Sequence, residues 1–140
     1  MSDSSAYITS TVVYEGKLRT RARHERSGQE IITDAPIDNQ GKGEAFSPTD
    51  LCATSLASCV MTIMGIAAEA REIDLTGMRA EVIKVMDGPP RHISAVRVAI
   101  YLPAKDYTPE QRKLLTKAAE ACPVGRSLNE RLVQEVELVW

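Results

Sequence analysis

The sequence has few of the residues that usually mark nucleic-acid-binding, membrane-surface or metal-binding proteins. Its 17 lysines and arginines are balanced by 19 acidic residues, which gives a formal net charge of -2 over 140 residues. This balance gives neither the basic footprint of a nucleic-acid-binding protein nor a polybasic membrane signal. Two histidines, three cysteines and no CxxC motif disfavour a zinc site. We therefore expect no nucleic acid, membrane, metal or cofactor.

The length of the chain and its first residues give expectations for the number of domains and the cellular compartment. A chain of 140 residues is expected to fold as one domain, residues 1–140. The first five residues, MSDSS, lack the basic and then apolar pattern of a secretory signal. We therefore expect the cytoplasm, where thiols stay reduced and functional cysteines are usually catalytic, redox-active or metal-binding.

A long uncharged stretch, Leu51–Ala68, is the most apolar part of the sequence. Its length approaches that of a membrane span. Its cysteines, serines, threonines, glycine and many alanines are more typical of a central helix of a soluble core, or of a helix buried between subunits.

Local patterns predict the order β-β-β-α-β-β-α-α-β. Turn residues, β-branched runs and helix-start signals at Ser47-Pro48 and Thr108-Pro109 mark the elements. The predicted strands are 6–14, 17–25 and 29–33, with a turn at Glu15-Gly16, and then 78–86, 93–102 and 133–140. The predicted helices are 48–71, 109–122 and a short helix from Pro123. Strands in antiparallel runs indicate an α+β fold with antiparallel sheets around a long buried central helix.

Two cysteines are the strongest functional candidates. Cys59 lies in the middle of the uncharged helix, and Cys122 precedes Pro123, where free backbone N–H groups and Arg126 could stabilise a thiolate. A thiolate is a nucleophile, and a second thiol can capture its oxidised product. Each cysteine could equally be a small packed residue. Cys52 lies about 10 Å from Cys59 along the helix, too far for a disulfide, and is interpreted as core packing.

Charged residues give weaker signals. Arg19, Arg21 and Arg23 alternate on one predicted strand, which is typical of a solvated surface, although one of them could lower a thiol pKa. Glu44 and Asp50 flank the start of the central helix, where either could orient an arginine and Asp50 also complements the helix dipole.

Two segments together resemble a known family. They are Ser47–Cys59, SPTDLCATSLASC, and Ala121–Leu128, ACPVGRSL. In this order and spacing, with the Tyr14–Leu18 segment, they resemble the osmotically inducible protein C (OsmC) and organic hydroperoxide resistance (Ohr) family.

The resemblance implies an α+β cysteine peroxidase that forms an intertwined homodimer. It would reduce organic hydroperoxides, and hydrogen peroxide by the same chemistry, in oxidative-stress defence. Cys59 would be the peroxidatic thiol and Cys122 the resolving thiol, with an external dithiol as reductant. The family's helix-start glutamate is replaced by Thr49, beside Asp50, and its arginine falls near Thr20, between Arg19 and Arg21.

Two other hypotheses stay open at this point. A non-catalytic or slow thiol dimer that binds a small apolar or electrophilic ligand would account for Thr49. A cysteine hydrolase or acyltransferase has less support, because no histidine is obviously paired with a cysteine.

Overall fold

The computed structural model describes residues 6–140, so the first five residues, on which the signal-sequence expectation rests, lie outside the described residues. The elements follow the predicted order, with an added 3-10 turn, Ile37–Asn39, in the polar loop after the third strand. The chain divides into two compact units that meet in sequence between Leu51 and Cys52. The expectation of one domain over 1–140 stays a prediction.

The first unit contains a three-stranded antiparallel sheet. Its strands are β1 (Ser10–Gly16), β2 (Arg19–His24) and β3 (Glu30–Asp34), in the order β1-β2-β3. The predicted turn at Glu15-Gly16 is wrong by two residues. Gly16 ends β1 next to an irregularity in the register, and the turn falls on Lys17 and Leu18, whose φ angles are 54° and 66°. Two successive positive φ angles are typical of the tight turns that match strand twist.

The long helix α1, Pro48–Glu69, begins where the sequence predicts and ends two residues before the predicted end. The Ser47 Oγ accepts a hydrogen bond from the Asp50 N–H, and an Asp50 carboxylate oxygen accepts one from the Ser47 N–H, both at 3.0 Å. This reciprocal capping, with Pro48 at the first helical position, satisfies backbone donors that the helix itself leaves unpaired.

The second unit contains a mixed sheet. Its strands are β4 (Arg79–Asp87), β5 (His92–Tyr101) and β6 (Val133–Val139), in the order β4-β5-β6. β4 pairs antiparallel with β5, but β6 pairs parallel with β5, so the expectation of antiparallel pairing throughout is wrong for β6. Parallel neighbours need a long crossover, which here contains α2 (Pro109–Ala119) and α3 (Pro123–Ser127).

The core of the second unit is built from one face of β5 and one face of α1. Val96, Val98, Ile100 and Leu102 are buried, which confirms the period-two prediction for this strand. They share a cluster with Leu115 of α2, with Cys122 and with six residues of α1, namely Ala53, Leu56, Ala57, Val60, Met64 and Ala68.

The central helix is buried on this one face only. Ser58, Thr62 and Ile66 are exposed, so the prediction of an entirely buried helix is wrong for the single chain. By length and composition α1 could also span a membrane, a test that core helices of soluble proteins pass as well.

Candidate active site

The second unit brings the two predicted cysteines together. The thiol of Cys59, on α1, lies close enough to that of Cys122, before α3, to raise its pKa. Cys59 is half-buried and packs against the core, whereas Cys122 belongs to the core and is only 4% exposed. Residues 63 positions apart in sequence therefore form one dithiol site.

Cys122 is held in place by its position at the helix start. It is the N-cap of α3, and its Sγ accepts a hydrogen bond from the Gly125 N–H at 3.3 Å. Pro123, at the first helical position, has no N–H that needs a partner. The sulfur therefore takes the place of the side-chain oxygen that commonly caps a helix.

Strand β6 fixes the position of α3. The side-chain amide of Gln134 donates a hydrogen bond to the Gly125 carbonyl at 2.8 Å. A Cβ on Gly125 would lie 2.7 Å from the Gln134 Oε1 and 3.4 Å from a Leu56 methyl carbon, so a larger residue there would displace the Gln134 side chain. The contact fastens the turn that carries Cys122 to the sheet.

Burial raises the pKa of the Cys122 thiol, because a thiolate is poorly solvated there. The backbone N–H groups of Gly125 and Val124 lower the pKa of Cys122, as the sequence predicted for a cysteine before a helix. The Cys59 thiol raises it further. Arg126, also considered for this role, lines the adjacent cavity. Because the net effect is a raised pKa, the Cys122 thiol is protonated in the resting site.

A cavity of about 390 Å³, here called the thiol cavity, opens beside Cys122. One part of its wall is apolar, formed by Leu56, Val60, Val136 and Leu138, and the other part is polar, formed by Thr116, Glu120, Arg126 and Gln134. Its size suits a small organic molecule.

Cys52 is separate from this pair. It is half-buried and is not among the residues that form or contact the core of the described chain, so its interpretation as core packing is wrong. It lies two helical turns from Cys59 on α1.

Arg19 forms a bidentate ion pair with Asp34, a residue that the sequence did not indicate as a site candidate. Its Nε and Nη2 donate to the two carboxylate oxygens of Asp34, both at 2.8 Å, and the two residues are direct cross-strand neighbours. The Glu44 carboxylate lies farther from Arg19, at 3.8 Å, and is mostly exposed, while its backbone N–H donates to Asp34 at 3.2 Å. Asp34, 2% exposed, is therefore the centre of this cluster.

The charges in this cluster stabilise one another. The hydrogen bonds from Arg19 hold the pKa of Asp34 below its usual range, and those to Asp34 raise the pKa of Arg19. Bidentate pairs of this kind also fix geometry. Arg19 therefore has a carboxylate partner, mainly Asp34 with Glu44 at the edge of the pair, and its role towards a thiol stays a prediction.

The two other supporting candidates have local roles. Arg21 lies on the exposed surface and pairs with Glu15 at 2.9 Å and more distantly with Glu30 at 3.7 Å. Asp50 caps the start of α1 through Ser47, which agrees with its helix-dipole interpretation. Thr49, at the family's glutamate position, has its hydroxyl 3.1 Å from that of Ser47.

Comparisons with protein families and solved structures show which proteins this chain resembles. The profile of the OsmC-like protein family matches residues 41–137. A structure from Psychrobacter arcticus 273-4, provisionally described as an osmotic stress induced and detoxification response protein, is 51% identical. It covers 96% of this chain and 97% of that chain, with a TM-score of 0.90. No protein of curated function matches the sequence.

More distant structures share the fold. An OsmC organic hydroperoxide resistance protein from Legionella pneumophila is 17% identical, with a TM-score of 0.72 and coverage of 97% of this chain and 100% of that chain. The organic hydroperoxide resistance protein OhrB of Bacillus subtilis is also 17% identical, with a TM-score of 0.64 and coverage of 95% and 99%. On the strength of the profile match and the 51% identical relative, the chain belongs to the OsmC-like protein family.

Proposed function

We propose that the protein is a cytoplasmic thiol peroxidase that reduces organic hydroperoxides, and hydrogen peroxide by the same chemistry, with Cys59 and Cys122 as its redox pair. The observation that carries the proposal is the proximity of the two thiols, of which Cys122 lines a cavity, in a member of the OsmC-like family. Relatives of the same fold are named for organic hydroperoxide resistance.

The cycle follows from thiol chemistry. The Cys59 thiolate attacks the distal peroxide oxygen, an S–O bond forms, the O–O bond breaks, and the leaving alkoxide takes a proton to become an alcohol. The Cys122 sulfur then attacks the Cys59 sulfenic acid, loses its proton, and forms a disulfide with release of water. An external dithiol is oxidised to its disulfide as it returns both cysteines to thiols.

The properties of Cys122 suit it to the second step. Its raised pKa keeps it protonated, and its burial limits direct contact with solvent oxidants. Its proximity to Cys59 would let it reach the sulfenic acid formed there. The apolar wall of the thiol cavity would accommodate the hydrocarbon part of an organic hydroperoxide.

A homodimer is part of the proposal, and the first unit supports it. The side chains that are buried in residues 6–51 are polar: Thr33, Asp34 and Ser47. Most of its large apolar side chains are exposed, including Val12, Val13 and Tyr14 of β1, each at about 58–63% exposure. A three-stranded sheet without a covered apolar face is normally stabilised by a partner surface.

We therefore expect a second copy of the chain to cover the first sheet. Sedimentation equilibrium at micromolar concentration should give twice the 15.3 kDa chain mass. A mass equal to that of one chain at all concentrations would contradict the dimer and would leave the dithiol chemistry of the second unit untouched.

The peroxidase itself is tested by intact-mass spectrometry. The reduced protein receives one equivalent of cumene hydroperoxide and is quenched with an alkylating reagent within seconds. The expected product has lost two hydrogens, resists alkylation at both sites, and yields a Cys59–Cys122 linked peptide after digestion. An unchanged mass with both thiols alkylated would overturn the proposal.

That negative result would favour the second candidate, a thiol protein that binds a small apolar or electrophilic ligand without turnover. Its supporting observation is Thr49, which places a hydroxyl at the family's glutamate position, while Arg19 is taken by Asp34. In that case a ligand should protect Cys122 from alkylation by occupying the thiol cavity.

A further inference from the structure

The exposed side of α2 carries a group of cations next to the thiol cavity. Arg112, Lys113 and Lys117 line a surface cavity of about 450 Å³ together with Thr116, Glu120 and Trp140. The three cations are exposed, and their spacing of one, four and five residues puts them on one side of the helix. We call this surface the basic face.

The basic face and the thiol cavity are continuous. Thr116 and Glu120 line both of them, and Arg126 adds a fourth cation on the cavity side. Glu120 is the one acidic side chain among the residues that line the two cavities. A protein with a net charge of -2 therefore presents a local excess of positive charge at the approach to Cys122.

These cations are available to a ligand. Within residues 6–140, Lys113 and Lys117 make no ion pair, and both are exposed. Arg112 lies 5.1 Å from the centre of the Trp140 ring, which orders its guanidinium without neutralising its charge. Tyr107 in turn packs edge-on against Trp140, with ring centres 5.2 Å apart, so the Trp140 ring is supported by a buried side chain.

The extent of the face indicates a large partner. From Arg112 to Glu120 the helix rises about 12 Å, which exceeds the reach of a small dithiol reagent. Opposite charge on a partner would raise the local concentration of that partner at the cavity mouth and its association rate. The cavity behind the face contains the buried sulfur that must be reduced after each turnover.

We propose that the basic face of α2 docks the acidic surface of the dithiol protein that re-reduces the Cys59–Cys122 disulfide. The proposal rests on the peroxidase function above and adds the place and the charge of its reductant. The docked protein's dithiol is oxidised to a disulfide, and the Cys59–Cys122 disulfide is reduced to two thiols. Two electrons and two protons therefore pass from the docked protein to this chain.

The test starts from a disulfide made without peroxide. Diamide, a thiol oxidant, generates the Cys59–Cys122 disulfide, and two peptides then reduce it. Both contain a Cys-Gly-Pro-Cys dithiol, flanked by glutamates in one and by glutamines in the other. At low salt the acidic peptide should react about tenfold faster than the neutral one, a ratio that falls toward unity in 0.5 M NaCl.

Charge reversal locates the effect. In Lys113→Glu/Lys117→Glu the ratio of the two peptide rates should fall to about one or below. Lys113→Gln/Lys117→Gln should give an intermediate ratio of the two peptide rates. This milder variant keeps the test informative if the charge-reversal variant fails to fold. The control Arg71→Glu/Lys105→Glu has the same change in charge at residues that line neither cavity, and it should keep the wild-type ratio.

The other outcomes overturn either the docking proposal or the peroxidase function. Equal rates for both peptides, or an equal effect of the control variant, would exclude docking at this face. If dimercaptosuccinate, a small dianionic dithiol, shows the same dependence on Lys113 and Lys117 as the acidic peptide, the ligand is a small anion and not a protein. A failure of peroxide, but not diamide, to form the disulfide would overturn the peroxidase function alone.

Discussion

Replacing Cys59 by serine is expected to lower peroxide consumption by about 1,000-fold or more, the scale seen when an enzymatic nucleophile is removed. Serine is close in size to cysteine and should preserve the packing of Cys59 against the core. Its hydroxyl is not ionised near neutral pH and attacks peroxide oxygen poorly, so the first S–O bond cannot form. Loss of cumene hydroperoxide with an external dithiol measures the effect.

Cys52→Ser is the matched control for this result. It makes the same atomic change on the same helix, two turns away, at a half-buried residue outside the core. We expect near wild-type rates and unchanged thermal unfolding for this variant. If Cys52→Ser loses activity while Cys59→Ser retains it, the peroxidatic thiol has been assigned to the wrong residue.

Replacing Cys122 by serine is expected to convert a catalytic cycle into a single turnover. Cys59 can still react with one equivalent of peroxide, but no thiol is positioned to capture the sulfenic acid. Further peroxide should then carry Cys59 to the sulfinic acid, which a dithiol does not reverse. Mass spectrometry should show the gain of one oxygen and then of a second, with no internal disulfide.

Serine is also the informative substitution at Cys122 for a structural reason. The Cys122 sulfur caps α3 through the Gly125 N–H, and serine is among the preferred capping residues. The variant should therefore keep the helix start and lose only the redox function, whereas Cys122→Ala would lose both. Sustained turnover by Cys122→Ser at the wild-type rate would exclude Cys122 as the resolving thiol.

The sequence predicted those parts of the fold that depend on local signals. Ser47, Pro48 and Asp50 mark the start of α1 because capping is decided within one helical turn. The period-two pattern of β5 predicted its buried face correctly, because alternation directly reflects side-chain direction. The helical context of both cysteines indicates them as candidates, and in the structure the Cys59 thiol is close enough to raise the pKa of Cys122.

The features that the sequence did not predict depend on pairing between distant segments. Alternation in β6 says which residues share a face but not whether the neighbour runs parallel, so the β5–β6 pairing was missed. The predicted third strand ends at Thr33 and leaves out Asp34, because the pairing of Asp34 with Arg19 depends on strand register, which the Lys17-Leu18 turn sets. The place of Asp34 next to the β-branched run Ile31–Thr33 was the one available signal.

The link between Gln134 and Gly125 has a consequence for the order of folding. β6 is the last strand in the sequence, and it joins β5 only after the chain has passed through α2 and α3. Because Gln134 of this strand also donates a hydrogen bond to the turn that carries Cys122, that turn has its full support only after β6 has joined the second sheet. A chain without β6 in place would have both cysteines but not this support, so rapid disulfide formation would indicate that the second sheet is complete.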